Sequence, residues 1–257
     1  MKKDYLIGNL INLMSKYDQI TYEVDGILGK IYLNRPKKLN AYTPDMGDEI
    51  IDAFRDANNN NNIVAIAFLG HGKSFCAGAD KDYLLGKKKS KSGLKIGEDE
   101  FISSFVKELA SSNKILIGGI KGACVGIGIT MLLPFDIRIA ESNSMISFPF
   151  TKLGILPGLA SSYFLPSLVG LNKAKQLILN NSKLKADEAL SIGLINEIVD
   201  EGKVESKIDE YIDLYRTINK DILFKAKQAF SGNCLEEEVQ NAINRETNLS
   251  KLLNNFT

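Results

Sequence analysis

Residues 114–148 read KILIGGIKGACVGIGITMLLPFDIRIAESNSMISF. KILIGGI is a continuous apolar run, the pattern of a parallel strand buried on both faces. GACVGIGITMLL joins a turn rich in glycine, with Gly122, Gly126 and Gly128, to a short apolar helix; DIRIA and SMISF then return to the strand pattern. A buried strand, a glycine turn entering a helix and a return to strand spell α/β organisation.

Working outward, IVAIAFLG at 63–70 is a second buried run, and ITYEVDGILGKIYL at 20–33 alternates about Asp25-Gly26 as a β-hairpin does. Thr43 as N-cap, Pro44 at the first helical position and Asp45 behind it open a helix with Met46, Ile50, Ile51 and Phe54 on one face. The Asn run 58–62 ends it. FISSFVKELA at 101–110 is helical, whereas GKKKSKSGLKIGED at 86–99 has the composition of a mobile, solvated surface loop. From about residue 159 the pattern turns helical: LASSYFLPSLVG, NKAKQLILN, KADEALSIGL and three longer helices filling 203–252. The chain divides into an N-terminal extension (1–17), a core domain (18–200) and a C-terminal helical region (201–257).

Composition narrows the function classes. The 257 residues, 44% hydrophobic and 25% charged, are those of a globular chain of one domain plus an appendage. Lys and Arg number 32 against 31 Asp and Glu, so no global field draws nucleic acid or an anionic membrane, and any anion must be held by a local site. The Lys87 to Lys91 loop is the only local handle for nucleic acid. Cys76, Cys124 and Cys234 are too far apart for a C-x-x-C site or a disulfide framework, which fits a reducing compartment. His71 is the single histidine, which excludes H-E-x-x-H and a three-His zinc site. The N-terminus lacks a cleavable signal pattern, and no apolar run reaches the ~18 residues of a membrane span. The reading is cytoplasmic, with no membrane partner.

Two segments following buried strands expose backbone: FCAGAD at 75–80 and GACVGIGIT at 122–130. Such turns present amide N–H groups that suit an anion or an oxyanion. On these residues alone, close packing of a helix against a sheet explains the glycines equally well. GIGIT is not G-x-G-x-x-G, and GHGKS lacks the Walker spacing.

NRPKKLNAYT at 34–43, GHGKSFCAGAD at 70–80, IKGACVGIGITMLLPFDIRIAE at 120–141, FPFTKLGILPGLASSYFLPSLVG at 148–170 and KADEALSIGLINEIV at 185–199 together resemble, in order, the signatures of the crotonase superfamily of enoyl-CoA hydratases and isomerases. Within it, TMLLPFD, FPFTKLG and ASSYFLP are most similar to the peroxisomal-type Δ3,Δ2-enoyl-CoA isomerases and their bacterial relatives. The resemblance implies an α/β crotonase (ClpP/crotonase-like) fold of repeated ββα units in two sheets, with C-terminal helices that build homotrimers or hexamers. It implies an acyl-CoA thioester as substrate. No separate cofactor and no metal is implied, since coenzyme A enters as part of the substrate. The thioester oxygen would sit between the backbone amides of Ala79 and Ile127, the latter preceded by Gly126. Lys37, Lys38, Ala77, Asp80 and Lys81 match the CoA-binding positions, although Lys37 and Lys38 also suit an ordinary surface.

The resemblance further implies glutamates that this chain lacks. The hydratase positions carry Thr130 and Phe150, and the isomerase position after LGILP carries Gly158. None of these accepts a carbon-bound proton near neutral pH, so ordinary hydratase activity is expected to be weak and catalytic silence is the alternative. A carboxylate from the 81–100 loop folding over the thioester is a further option. Among the remaining groups, Asp136 is expected to pair with backbone or Arg138, Ser161 and Ser162 to pack or cap, with a hydrogen bond to substrate as their alternative, and Cys124 to stay inert. His71 lies in a loop with no assigned role, and Tyr42 and Tyr163 read as core or rim aromatics.

Overall fold

A computed structural model describes residues 16–231 and 235–253. Most of the N-terminal extension, including the segment read for a signal peptide, lies outside the described residues, as does Cys234. Strands β1 (Ile20–Asp25) and β2 (Leu28–Leu33) form the expected hairpin, turning through Gly26 at φ 60°. Helix α1 (Pro44–Asn59) starts where the cap signal places it, with the Met46 amide donating to Thr43 Oγ1 at 3.1 Å. The chain continues through β3 (Ala65–Gly70), α2 (Lys81–Leu84), a π-helical turn at Phe101–Phe105, α3 (Val106–Ser111), β4 (Ile115–Ile120) and β5 (Ala123–Val125). Then come α4 (Ile127–Thr130), β6 (Ile137–Glu141), β7 (Met145–Ser147), α5 (Ser161–Val169) and α6 (Leu171–Leu179). Next follow β8 (Lys183–Lys185), α7 (Ala186–Ser191), β9 (Glu197–Val199), α8 (Val204–Arg216), α9 (Lys220–Phe230) and α10 (Leu235–Leu253).

The strands pair as a six-stranded sheet, β1-β2-β3-β4-β6-β9, and a three-stranded sheet, β5-β7-β8. The β1·β2 and β7·β8 pairs are antiparallel and the others parallel. Every residue of β3 and β4 is buried, which accounts for their unbroken apolar runs. Alternation along β3 divides two cores: Ile66 and Phe68 face Phe54, Phe105 and Phe135, while Ala65, Ala67 and Leu69 face Val204, Ile208 and Ile212 of α8. The first helix after residue 200 therefore covers one face of the main sheet, and α10 lies against α3 and α5.

Two features differ from the sequence reading. Strands β5, β8 and β9 escape it, β5 falling inside the segment read as a glycine turn, since three residues give no periodicity to detect. The 86–99 segment is exposed along most of its length but pinned: the Lys91 amide donates to Asp45 Oδ1 at 2.7 Å, and Ser90 and Asp99 are buried. Among the described residues no helix is long and apolar enough to cross a membrane.

Candidate active site

Segment 75–80 runs between β5 and the 39–42 turn and bonds to both. Toward β5, the Cys76 amide donates to Ala123 O at 3.0 Å and the Val125 amide donates to Cys76 O at 2.9 Å. Toward the turn, the Ala77 amide donates to Leu39 O at 2.9 Å, the Tyr42 amide to Gly78 O at 2.8 Å and the Asp80 amide to Tyr42 O at 2.8 Å. Gly78 holds φ 98°, a region that side chains rarely adopt, and a Cβ there would lie 3.3 Å from Val125 O.

These bonds orient two amides. In a planar trans peptide the C=O and N–H point in opposite directions. Because Gly78 C=O is directed at Tyr42, the Ala79 N–H faces away from it. Gly126 O accepts from the Ile129 and Thr130 amides, both at 3.1 Å, so the Ile127 N–H points out of the start of α4. Among the described residues neither the Ala79 nor the Ile127 amide has an acceptor. Two donors on neighbouring segments, unpaired among the described residues and each anchored through the carbonyl of its own peptide, can donate to a developing oxyanion without reorganising.

The 35–40 turn is built by side chains. Asn40, buried at φ 55°, accepts the Arg35 amide at 2.8 Å and donates to His71 O and Ser74 O at 2.9 and 2.8 Å. Arg35 donates to Ala41 O and pairs with Asp80 at 2.9 Å. Burial penalises the Asp80 carboxylate, but the Arg35 guanidinium and the Asp82 amide outweigh it and hold its pKa below the ordinary value. Asp80 thus clips the turn to the start of α2. Lys37, Lys38 and Lys81 are exposed and, among the described residues, form no ion pair; Ala77 lies partly buried beside them.

The three positions where the resemblance expects acids are occupied by groups without proton chemistry. Thr130 is buried, and its hydroxyl turns back onto Ile127 O at 3.4 Å. Phe150 is buried, its ring 4.0 Å from where a Cβ on Gly126 would stand. Gly158 lies beside Ile102, whose Cγ2 would be 3.2 Å from an added Cβ.

The remaining candidates are engaged elsewhere. His71 stacks on Tyr32 at 4.6 Å and bonds Thr21 Oγ1 at 2.8 Å; burial and the charge of Lys121 lower its pKa. Asp136 accepts the Leu116 amide, as expected, but its charged partner at 2.7 Å is Lys227 and not Arg138, whose guanidinium is spent on backbone carbonyls. Burial pushes the Cys124 thiol well above its usual range. Tyr163 packs edge-on against Phe164. Among the described residues no group of His, Cys, Asp and Glu is disposed to hold a metal ion.

Glu246 and Asp99 are buried carboxylates that nothing local in the sequence marks out. Glu246 of α10 accepts the Ala160 and Ser162 amides at 3.0 and 2.7 Å and so caps α5; among the described residues the side chains of Ser161 and Ser162, expected to pack or cap, make no cap bond to that helix. Burial raises its pKa, against the pull of those amides. Asp99, fully buried, accepts the Tyr42 hydroxyl at 2.6 Å. Each sits in a charged stretch, GEDE or NRET, that reads as a solvated surface.

Comparison with known proteins agrees with this architecture. The family model described as enoyl-CoA hydratase/isomerase matches residues 23–255. A protein named short-chain-enoyl-CoA hydratase from Clostridium acetobutylicum is 33% identical over 195 residues, 75% of this chain and 73% of the relative. The mouse protein named peroxisomal enoyl-CoA delta isomerase 3 is 28% identical over 211 residues, 82% of this chain and 66% of its own length. Among solved structures, the enoyl-CoA hydratase of Bacillus halodurans superposes with a TM-score of 0.83 at 26% identity, covering 92% of this chain and 95% of the other.

Proposed function

Since this chain belongs to the enoyl-CoA hydratase/isomerase family, we propose that it binds an acyl-CoA thioester and stabilises its enolate between the Ala79 and Ile127 amides, without the family's usual acid and base. One observation carries the reading: among the described residues both amides lack an acceptor, and both are directed by carbonyls that are already bonded. As a proton leaves the carbon next to the thioester, charge moves onto the carbonyl oxygen. Each donor there is worth a factor of ~10² to 10³ in rate. Lys37, Lys38 and Lys81, exposed and without an ion pair among the described residues, are the cations proposed for the CoA phosphates, with Ala77 and Asp80 framing that side. The helices after residue 200 are proposed to assemble homotrimers or hexamers.

General acid-base catalysis contributes ~10²- to 10⁴-fold, and Thr130, Phe150 and Gly158 supply none of it. Hydration of 2-enoyl-CoA is therefore expected to be slow, leaving enolate chemistry whose proton comes from another source. The second reading, an acyl-CoA-binding member without turnover, is favoured by the engaged Thr130 hydroxyl and the ring of Phe150 beside Gly126. Calorimetry with acyl-CoA and CoA tests the common premise: no binding at millimolar ligand ends both readings. Assays with 2-enoyl- and 3-enoyl-CoA of several chain lengths then separate them. Turnover clearly above the solution rate removes the silent one.

A further inference from the structure

Tyr42 and Asp99 are 57 positions apart in sequence, fully buried, and joined at 2.6 Å. Room for this bond is built in. A Cβ on Gly47 would stand 2.3 Å from the Tyr42 hydroxyl and 2.8 Å from Phe101 Cβ, so only hydrogen fits there. The Tyr42 ring packs against Phe101 at 5.2 Å. Burial and the neighbouring carboxylate raise the phenol pKa well above its usual value, keeping the hydroxyl a donor.

Both partners reach the proposed site by other bonds. Tyr42 is bonded on either side of Ala79, its amide to Gly78 O and its carbonyl to the Asp80 amide, each at 2.8 Å. Asp99 also accepts the Gly97 and Ile102 amides at 3.0 and 3.2 Å, and Ile102 is the residue that flanks Gly158. One buried contact thus connects the segment bearing the Ala79 amide to the segment bordering the acyl side.

We propose that Tyr42 is the positioning residue of the Ala79 donor, and that its buried hydrogen bond to Asp99 ties the direction of that donor to the placement of the 97–102 segment. The inference rests on the oxyanion reading of Ala79. An amide donor weakens steeply as its angle departs from linear, so small rotations of the 78–79 peptide are felt by a bound carbonyl. Tyr42→Phe removes one atom and keeps the ring, but leaves Asp99 a buried carboxylate with one donor fewer.

The test uses the full chain and two probes of equal acyl length, an acyl-CoA thioester and the S-alkyl-CoA thioether that lacks its carbonyl. Calorimetry gives the ratio of their affinities, with CoA alone as reference. The wild type is expected to prefer the thioester by about tenfold, the combined net effect of the two amide hydrogen bonds to its carbonyl. Tyr42→Phe is expected to cut that ratio about threefold or more while leaving CoA affinity unchanged. A purely structural role would weaken all three ligands together and leave the ratio intact. A wild type without preference overturns the oxyanion reading and this inference with it. A wild type with preference, fully retained in folded Tyr42→Phe, overturns the positioning role alone. Should Tyr42→Phe not fold, Asp99→Ala is read by the same ratio, and an unchanged ratio overturns the proposal equally.

Discussion

Segments 75–80 and 122–130 present main-chain amides whose carbonyls are already bonded, whereas positions 130, 150 and 158 present a hydroxyl turned onto its own helix, a phenyl ring and a hydrogen atom. The first half of the candidate site is made of backbone, and its donors survive any side-chain change that keeps the local path. The second half depends on side chains and loses its chemistry with each replacement. On the proposed reading, the contrast separates the means to bind and polarise a thioester, which is backbone, from the means to move a proton, which is side chain.

Breaking the backbone half should have the largest effect. Ile127→Pro deletes one donor at the first position of α4, where the N–H has no helical acceptor and proline is tolerated. In whichever of the wild type and Gly158→Glu turns over, a loss of about 100-fold or more in kcat is expected with an unchanged far-UV spectrum. A loss below about threefold would remove Ile127 from the hole.

Completing the side-chain half comes next. The φ of Gly158 lies outside the left-handed region, and a Cβ there would meet only Ile102 Cγ2, which must yield a few tenths of an ångström. Gly158→Glu should raise 3-enoyl-CoA isomerisation by about 100-fold. No gain, with acyl-CoA binding retained, would mean that the acyl side has closed and favour the silent reading.

The backbone half itself leans on a few side chains. Asn40→Ala removes one hydrogen bond inside the 35–40 turn and two that tie it to His71 and Ser74, and should cost about 3 kcal/mol in a urea melt. The smallest effect concerns Asp80. Its folded pKa lies below the unfolded value, so its ionised form contributes stability above about pH 4 that is lost as pH falls through the folded value. Asp80→Asn should therefore be about 1 kcal/mol less stable than wild type at pH 7, with the difference shrinking as pH falls below about 4. A pH-independent difference would assign the clip to packing instead of charge.

The elements that set the fold were legible because their causes are local. An apolar run announces β3, and Thr43-Pro44 announces the start of α1, by interactions spanning a few residues. The same holds for the glycine turn before Ile127. Strands β8 and β9 were not legible, since they exist only where the sheets offer them a partner. Nor was the pinning of the 86–99 segment, which depends on Asp45 of a helix far back in the chain.

By itself, the sequence determined the α/β order of elements, the two segments with exposed backbone and the absence of carboxylates at positions 130, 150 and 158. Only tertiary structure decided which acids leave water and what they hold: Asp99 for Tyr42, Glu246 for the start of α5, Asp80 for Arg35. The physical reason is range. A cap or a buried strand is specified by residues within one or two turns, whereas a buried carboxylate acquires its partner only when the chain folds back across tens of residues and removes the alternative of bonding to water.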